Sequence, residues 1–270
     1  MKITVLMENT TKRLDMKAEH GLSLYIETKE HRLLFDMGQS DAFAENAKVL
    51  GIDLSKVDLA VLSHGHYDHG GGLKKFLSIN KDADVYLTDT AFAPHFSTGH
   101  QNPEPRYIGL DKELAGNPRL IAVPDEYVID EQLKLMTFNN GKRTYATDSY
   151  GLKMRCREQF VPDDFRHEQY LVIHENGKEI VISGCSHKGI LNIMSWVQPD
   201  VLIGGFHFMK LDPETQEGRQ VLDHAAKTLG GYQSRYYTCH CTGMIQYEYL
   251  KQSLGTQLEF LGAGDVLEID

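Results

Sequence analysis

The densest chemistry in the chain lies in Ser63-His64-Gly65-His66-Tyr67-Asp68-His69-Gly70-Gly71-Gly72, where three histidines and one aspartate fall within six residues. Imidazole nitrogen and carboxylate oxygen are donors that a borderline-soft divalent cation takes readily. A helix or strand would point neighbouring donors in different directions, so this packing predicts a loop. The glycines allow the backbone to turn tightly and to approach an ion. Val57, Leu59, Val61 and Leu62 lead into the loop as a buried strand, and Gly72 to Leu77 opens a helix behind it. A solvated, histidine-rich surface loop has no reason to be fed by such an apolar run.

Three later strands end on a histidine set among small or sulfur residues. Glu179 to Ser183 runs into Gly184-Cys185-Ser186-His187, and Asp200 to Ile203 into Gly204-Gly205-Phe206-His207. Arg235 to Thr238 runs into Cys239-His240-Cys241-Thr242-Gly243. One buried histidine usually satisfies a backbone group, but three at corresponding strand ends predict a shared edge. His187 and His240 are the residues expected to complete the metal sites begun by His64, His66, Asp68 and His69. His207, if not a ligand, can donate to a substrate or leaving group, and Asp68 can orient a nucleophile. Cys185 reads equally as a thiolate ligand or as a small buried side chain. The donor types make Zn2+ the default, as one or two ions, with iron or manganese also compatible.

The elements that must position these groups are legible in outline. Ile3 to Met7, Leu22 to Glu27, Arg32 to Asp36 and Asp84 to Leu87 read as strands, as do Arg119 to Val123, Leu133 to Phe138 and Tyr170 to His174. Asp41 opens a short helix that Gly51 stops. Glu175-Asn176-Gly177-Lys178 reads as a hairpin turn, and Pro213 as the start of a helix running to Leu229. With strands in both halves and few linkers, the 270 residues read as one domain, 1–270, with covering insertions near 89–118 and 143–168. The second insertion is charged and reads as loop, and so does His100 to Arg106. His95 and Arg106 read as surface residues that such a cover could bring to a ligand. Lys188, with the helix start after Gly189, could hold an anionic group.

A formal net charge of −10 argues against binding nucleic-acid backbone, while leaving room for a local basic pocket and a small anionic substrate. No run approaches the length of a membrane span, and no apolar segment follows a charged start. The four cysteines form no stapling framework, so reduced thiols and a cytoplasmic location are expected. Oligomeric state is left open, a homodimer included.

The pattern H-x-H-x-D-H, spanning His64 to His69, resembles the signature loop of the metallo-β-lactamase-fold hydrolases. That resemblance implies an α+β fold, a four-layer αββα sandwich. It places His64 and His66 on one ion and Asp68 and His69 on a second, and it puts Asp36 behind the loop as a supporting carboxylate. Where that family has a bridging Gly-Asp, this chain has Gly184-Cys185. The segments Leu33–Leu73 and Gly184–Gly243 are similar to the subgroup related to 7,8-dihydropterin-6-methyl-4-(β-D-ribofuranosyl)aminobenzene-5′-phosphate synthase. The expected activity is metal-dependent hydrolysis of a phosphoryl or acyl substrate. The alternative is a synthase-like transfer in which Phe206, Phe208, Tyr236 and Tyr237 stack a pterin. A non-catalytic sensor has little reason to keep four donors in six residues.

Overall fold

The computed structural model describes residues 1–98 and 104–270. Its first half holds β1 (Lys2–Met7), β2 (Ser23–Glu27), β3 (Arg32–Phe35), α1 (Ala42–Val49), β4 (Leu59–Val61), α2 (Tyr67–Gly70), α3 (Leu73–Ile79) and β5 (Asp84–Thr88). Then come β6 (His95–Ser97), β7 (Arg106–Tyr107), β8 (Leu120–Val123), β9 (Glu126–Val128) and β10 (Leu133–Met136). The second half holds β11 (Leu152–Cys156), β12 (Gln159–Pro162), β13 (Tyr170–Glu175), β14 (Lys178–Ile182), α4 (Ile190–Val197) and β15 (Val201–Gly204). It ends with α5 (Gln216–Leu229), β16 (Arg235–Thr238), α6 (Met244–Leu254), β17 (Leu258–Phe260) and β18 (Val266–Glu268).

Period-two alternation gives each strand two apolar faces, and the layers follow from where those faces go. Among the described residues there are two seven-stranded sheets, ordered β18-β1-β2-β3-β4-β5-β8 and β17-β16-β15-β14-β13-β10-β9. Ile3, Val5, Leu33 and Phe35 from the first pack against Leu135, Leu171, Ile180 and Ile203 from the second. On the outer face of the first sheet, Leu34, Ala60 and Val85 meet Phe43 of α1 and Phe76 of α3. On the outer face of the second, Val181, Leu202 and Tyr236 meet Ile193, Leu222 and Leu250 of α4, α5 and α6. The result is the αββα sandwich.

Parallel pairing decides where the chemistry lies. β3 runs parallel to β4, and β14, β15 and β16 run parallel to one another. Loops leaving the carboxyl ends of parallel strands collect along one edge, which gathers Asp36, the His64–His69 loop, His187, His207 and His240.

Two expectations are corrected. Residues 143–168 are not only loop: β11 and β12 pair with β6 and β7 in a four-stranded sheet ordered β12-β11-β6-β7. Its stability depends on the remote partner β6, which no local pattern announces. α5 begins at Gln216 rather than Pro213, because Thr215 caps it, its hydroxyl accepting from the Gly218 N–H at 3.0 Å. Of the stretch from His100 to Arg106, residues 100–103 lie outside the described residues. Among the described residues no helix is long and apolar enough to cross a membrane. All four cysteines are free, with Cys156 exposed and Cys185, Cys239 and Cys241 buried.

Candidate metal centre

The loop after β4 is held by backbone contacts that leave no room for side chains at its glycines. A Cβ on Gly65 would lie 2.1 Å from the Ala91 carbonyl oxygen, and one on Gly184 would lie 2.2 Å from the Ser63 Oγ. The first approach sets the loop against the segment after β5, and the second sets it against the end of β14. Tyr67 N–H donates to the Ile108 carbonyl at 2.8 Å, so part of the first covering segment lies directly on the loop.

Behind the loop, Asp36 organises two histidines. Its carboxylate accepts from Ser63 N–H and from Ser63 Oγ–H, each at 2.7 Å, and from His69 Nδ1 at 2.7 Å. A carboxylate only accepts, so His69 carries a proton on Nδ1, and its neutral form presents a bare Nε2. The Ser63 hydroxyl spends its one proton on Asp36. It must therefore accept from His64 Nδ1, 2.8 Å away, and His64 too presents a bare Nε2. The same logic fixes His240, whose Nδ1 donates to Asn9 Oδ1 at 2.8 Å while its backbone N–H donates to Glu8.

These bare nitrogens face one another or a carboxylate. His64 Nε2 lies 3.3 Å from His187 Nε2, and His69 Nε2 lies 3.2 Å from His240 Nε2. Asp68 Oδ2 is 3.4 Å from His240 Nε2, 3.7 Å from His69 Nε2 and 3.3 Å from Nε2 of the exposed His20. With both rings neutral, the His69 and His240 lone pairs point at each other, an arrangement that needs positive charge between them, supplied by a cation or by a second proton on His69. Two imidazoles on one tetrahedral zinc have nitrogens roughly 3.3 Å apart, from bonds of about 2.0–2.1 Å. The donor set therefore fits divalent cations, with His64 and His187 in one group, His69 and His240 in another, and Asp68 beside the second. Cys185 belongs to both: it joins His64 and His187 in one cluster and His69 and His240 in another, with Sγ 3.2 Å from His69 Nε2.

At His64, His66 and His187 electrostatics favour the neutral, ligand-ready imidazole. Burial, reinforced by the neighbouring rings, holds His64, His66 and His187 well below the ordinary histidine range. Burial alone would lower His69 as well, but the Asp36 and Asp68 carboxylates outweigh it and raise it. Burial would raise Asp68, yet His69, His20 and His240 outweigh it and keep the carboxyl well below its usual range. Burial, then the Cys241 contact, pushes the Cys185 thiol up. A nearby cation reverses that preference.

His66 sits beside His64 and His187, with ring centres 4.6 and 4.9 Å away, and also joins a cluster that the sequence reading did not assemble: His95, Asp163 and His167. All four are buried. Asp163 accepts from His95 Nδ1 at 2.9 Å and faces His167 Nε2 at 3.5 Å. His167 Nδ1 in turn accepts the Gly65 N–H at 2.9 Å, between the two loop histidines. Asp163 thus reaches the loop through His167 and Gly65, whereas Asp36 bonds the loop's Ser63 and His69 directly. His95 is accordingly not a surface residue, as the sequence suggested. The signal available was Asp163 and His167 four residues apart, but the partner from β6 lies 68 residues from Asp163 and was invisible.

Asp36→Asn and Asp163→Asn should each weaken metal binding about 10- to 100-fold by loosening ligand orientation. Titration of the apoprotein against a competing chelator reads this directly, and unchanged affinity would contradict the supporting role.

The remaining expectations divide. Lys188 is fully buried and donates through Nζ to the Thr137 and Glu168 carbonyls, so it turns away from the site. Burial brings its ammonium down to about 8. Tyr236 and Tyr237 lie in the two cores and not at the cleft. His207, at φ 56°, packs 4.3 Å from the His187 ring and lines the opening. Burial, with Lys210 and His240 adding, lowers it to about 3, so it offers a neutral N–H rather than a proton to transfer. The opening itself is a cleft of about 250 Å³ where Asp68, Cys185, His187 and His207 meet the cationic Arg106 and Lys210.

This geometry agrees with the comparisons. Residues 16–145 match the family model described as the metallo-beta-lactamase superfamily. The crystal structure of Tm1679, a metal-dependent hydrolase of the beta-lactamase superfamily, is 28% identical with a TM-score of 0.82, covering 100% of this chain and 99% of that one. The 7,8-dihydropterin-6-methyl-4-(beta-D-ribofuranosyl)-aminobenzene-5'-phosphate synthase of Methanocaldococcus jannaschii is 27% identical over 93% of this chain and 90% of its own. An uncharacterised protein of the same organism is 29% identical over 77% of this chain and 79% of its own. The chain has the metallo-β-lactamase fold, and its first half matches that superfamily's model.

Proposed function

We propose that this protein is a metal-dependent hydrolase of a small anionic phosphoryl or acyl substrate, with His64, His66 and His187 holding one ion and Asp68, His69 and His240 another. The observation that carries this is the two pairs of facing nitrogens, His64 with His187 at 3.3 Å and His69 with His240 at 3.2 Å, with the Cys185 sulfur common to both groups and the Asp68 carboxylate beside the second. Zinc suits imidazole, carboxylate and thiolate together. When bound, such an ion supplies Lewis acidity, acidifying water and polarising a phosphoryl or carbonyl oxygen.

The chain's own residues do the rest. Asp68, at the cleft floor, orients the attacking water and balances the cationic charge. His207 donates a neutral N–H to the substrate. Arg106 and Lys210 at the rim attract and hold the anion. Four unpaired thiols suit a reducing compartment, and cytoplasmic residence belongs to this proposal.

Stripping the protein with a chelator should abolish turnover of phosphodiester or carboxylic-ester substrates, and stoichiometric Zn2+ should restore it, with metal content followed by elemental analysis. Turnover by the metal-free protein would sink the reading. One observation favours a second reading, synthase-like transfer: an aromatic pocket adjoins the cleft, with Phe206 and Phe208 in its wall. Quenching of Trp196 or tyrosine fluorescence by a reduced pterin would support it, and absence of binding would leave hydrolysis ahead.

A further inference from the structure

The cleft over the donor groups does not end there. A second cavity of about 380 Å³ opens beside it, and His187 and His207 line both. The two have opposite chemistry. Arg106 and Lys210 stand over the first, whereas Tyr145, Tyr150, Phe206, Phe208, Ile190 and Leu191 form much of the second. The aromatic walls come from separate elements. Phe206 and Phe208 follow β15, while Tyr145 and Tyr150 belong to the segment before β11, so two parts of the fold shape one apolar slot.

The slot is fixed in place. Tyr145 N–H donates to Asn192 Oδ1 at 2.8 Å, and the Asn192 amide donates back to the Tyr145 carbonyl at 2.8 Å. Lys210 Nζ donates to the Tyr150 carbonyl at 2.6 Å, which ties the cationic rim to the aromatic wall. Phe206 N–H donates to Thr242 Oγ1 at 2.8 Å, beside the His240 turn. An aromatic-lined cavity of this size with polar groups at one end suits a flat ring better than a flexible chain, since a rigid ring gives up little freedom on entry.

We infer that the substrate is bipartite, an aromatic ring seated among Phe206, Phe208, Tyr145 and Tyr150, joined to an anionic group held at the metal cleft by Arg106 and Lys210. This rests on the hydrolase reading for its anionic half only. The shared walls His187 and His207 place the bond between the two halves beside the donor groups. Aryl phosphates and aryl esters are therefore preferred over alkyl ones of equal charge.

The probes are 1-naphthyl phosphate, inorganic phosphate and neutral 1-naphthol, each titrated into zinc-loaded and chelator-stripped protein by calorimetry. The loaded protein is expected to bind 1-naphthyl phosphate about tenfold or more tightly than phosphate, from the ring area removed from water. Phe208→Ala, or Val221→Trp filling the slot from its rim, should erase that preference and leave phosphate affinity unchanged. 1-Naphthol should bind with or without zinc and should lose binding in both variants. Equal affinity for 1-naphthyl phosphate and phosphate, or 1-naphthol binding that neither variant disturbs, overturns the aromatic slot. If phosphate fails to bind while 1-naphthol still binds, the metal-centred reading falls and the slot stands.

Discussion

Asp68→Ala is expected to leave the protein folded, short of one bound ion, and slower by about a thousandfold or more. The carboxylate is the one anionic oxygen among three imidazole nitrogens, at 3.3 Å from His20, 3.4 Å from His240 and 3.7 Å from His69. On the proposed metal assignment, removing it deletes a ligand and the charge that offsets a dication in a buried site. Lewis-acid stabilisation is worth several kcal/mol, and each 1.36 kcal/mol is tenfold in rate, which gives the magnitude. The fold should survive, because Asp68 lies in the single turn of α2, not in the loop that the sequence predicts for all four donors, and belongs to none of the hydrophobic clusters between the layers. Asp68→Asn keeps the shape without the charge and should fall between the two. Elemental analysis, circular dichroism and steady-state turnover on the same preparations separate the effects. Parent-like turnover in Asp68→Ala would remove Asp68 from the metal assignment.

Why the loop was legible and its surroundings were not has a physical explanation. His64, His66, Asp68 and His69 are neighbours in sequence, and a loop that packs four donors so closely has few other uses. His187 and His240 were legible for a different reason: each follows a strand, and parallel strands deliver their carboxyl ends to one edge. The strands and helices around them announced themselves by period, from Leu33–Phe35 alternating between two cores to Leu222, Ala226 and Leu229 on one face of α5. What failed were features that need a distant partner. β11 and β12 exist because β6 pairs with Leu152–Met154. His95 becomes a site residue only because Asp163 arrives beside it. Lys188 sits next to His187 in sequence, yet α4 begins so soon after it that its ammonium turns inward to two carbonyls.

The same contrast bears on how the site is held. Each half of the loop leans on a carboxylate from outside it, Asp36 from the end of β3 and Asp163 from the end of the covering hairpin. Asp36 belongs to the sandwich, so its support is present wherever the fold is. Asp163 comes with the segment that also helps form the aromatic slot. Changes there are therefore expected to reach metal affinity through His167 and Gly65 as well as substrate choice. Such coupling runs through a contiguous set of hydrogen bonds, whose worth double-mutant cycles can measure.

Cys185→Ala should cost a bound ion and most of the activity, whereas Cys185→Asp should keep both. Cys185 stands where the superfamily resemblance puts a bridging aspartate, and it is the residue common to the His64–His187 and His69–His240 groups. Its sulfur lies 3.2 Å from His69 Nε2, a spacing that suits two ligands of one ion. Without a cation, burial and Cys241 keep the thiol protonated. Loading the site must then expel that proton, because the thiolate is the form that binds. Two signals follow that a packing role would not produce. The cobalt-loaded parent should show thiolate-to-metal charge-transfer absorption that Cys185→Ala and Cys185→Asp both lack. Zinc binding at constant pH should release one more proton in the parent than in Cys185→Ala, as read by a weakly buffered indicator. An aspartate supplies oxygen donors at the same strand end and restores the ligand count without the absorption. If Cys185→Ala retains the parent's metal content, proton release and cobalt spectrum, the sulfur only fills space, and the two ions must be joined by another group.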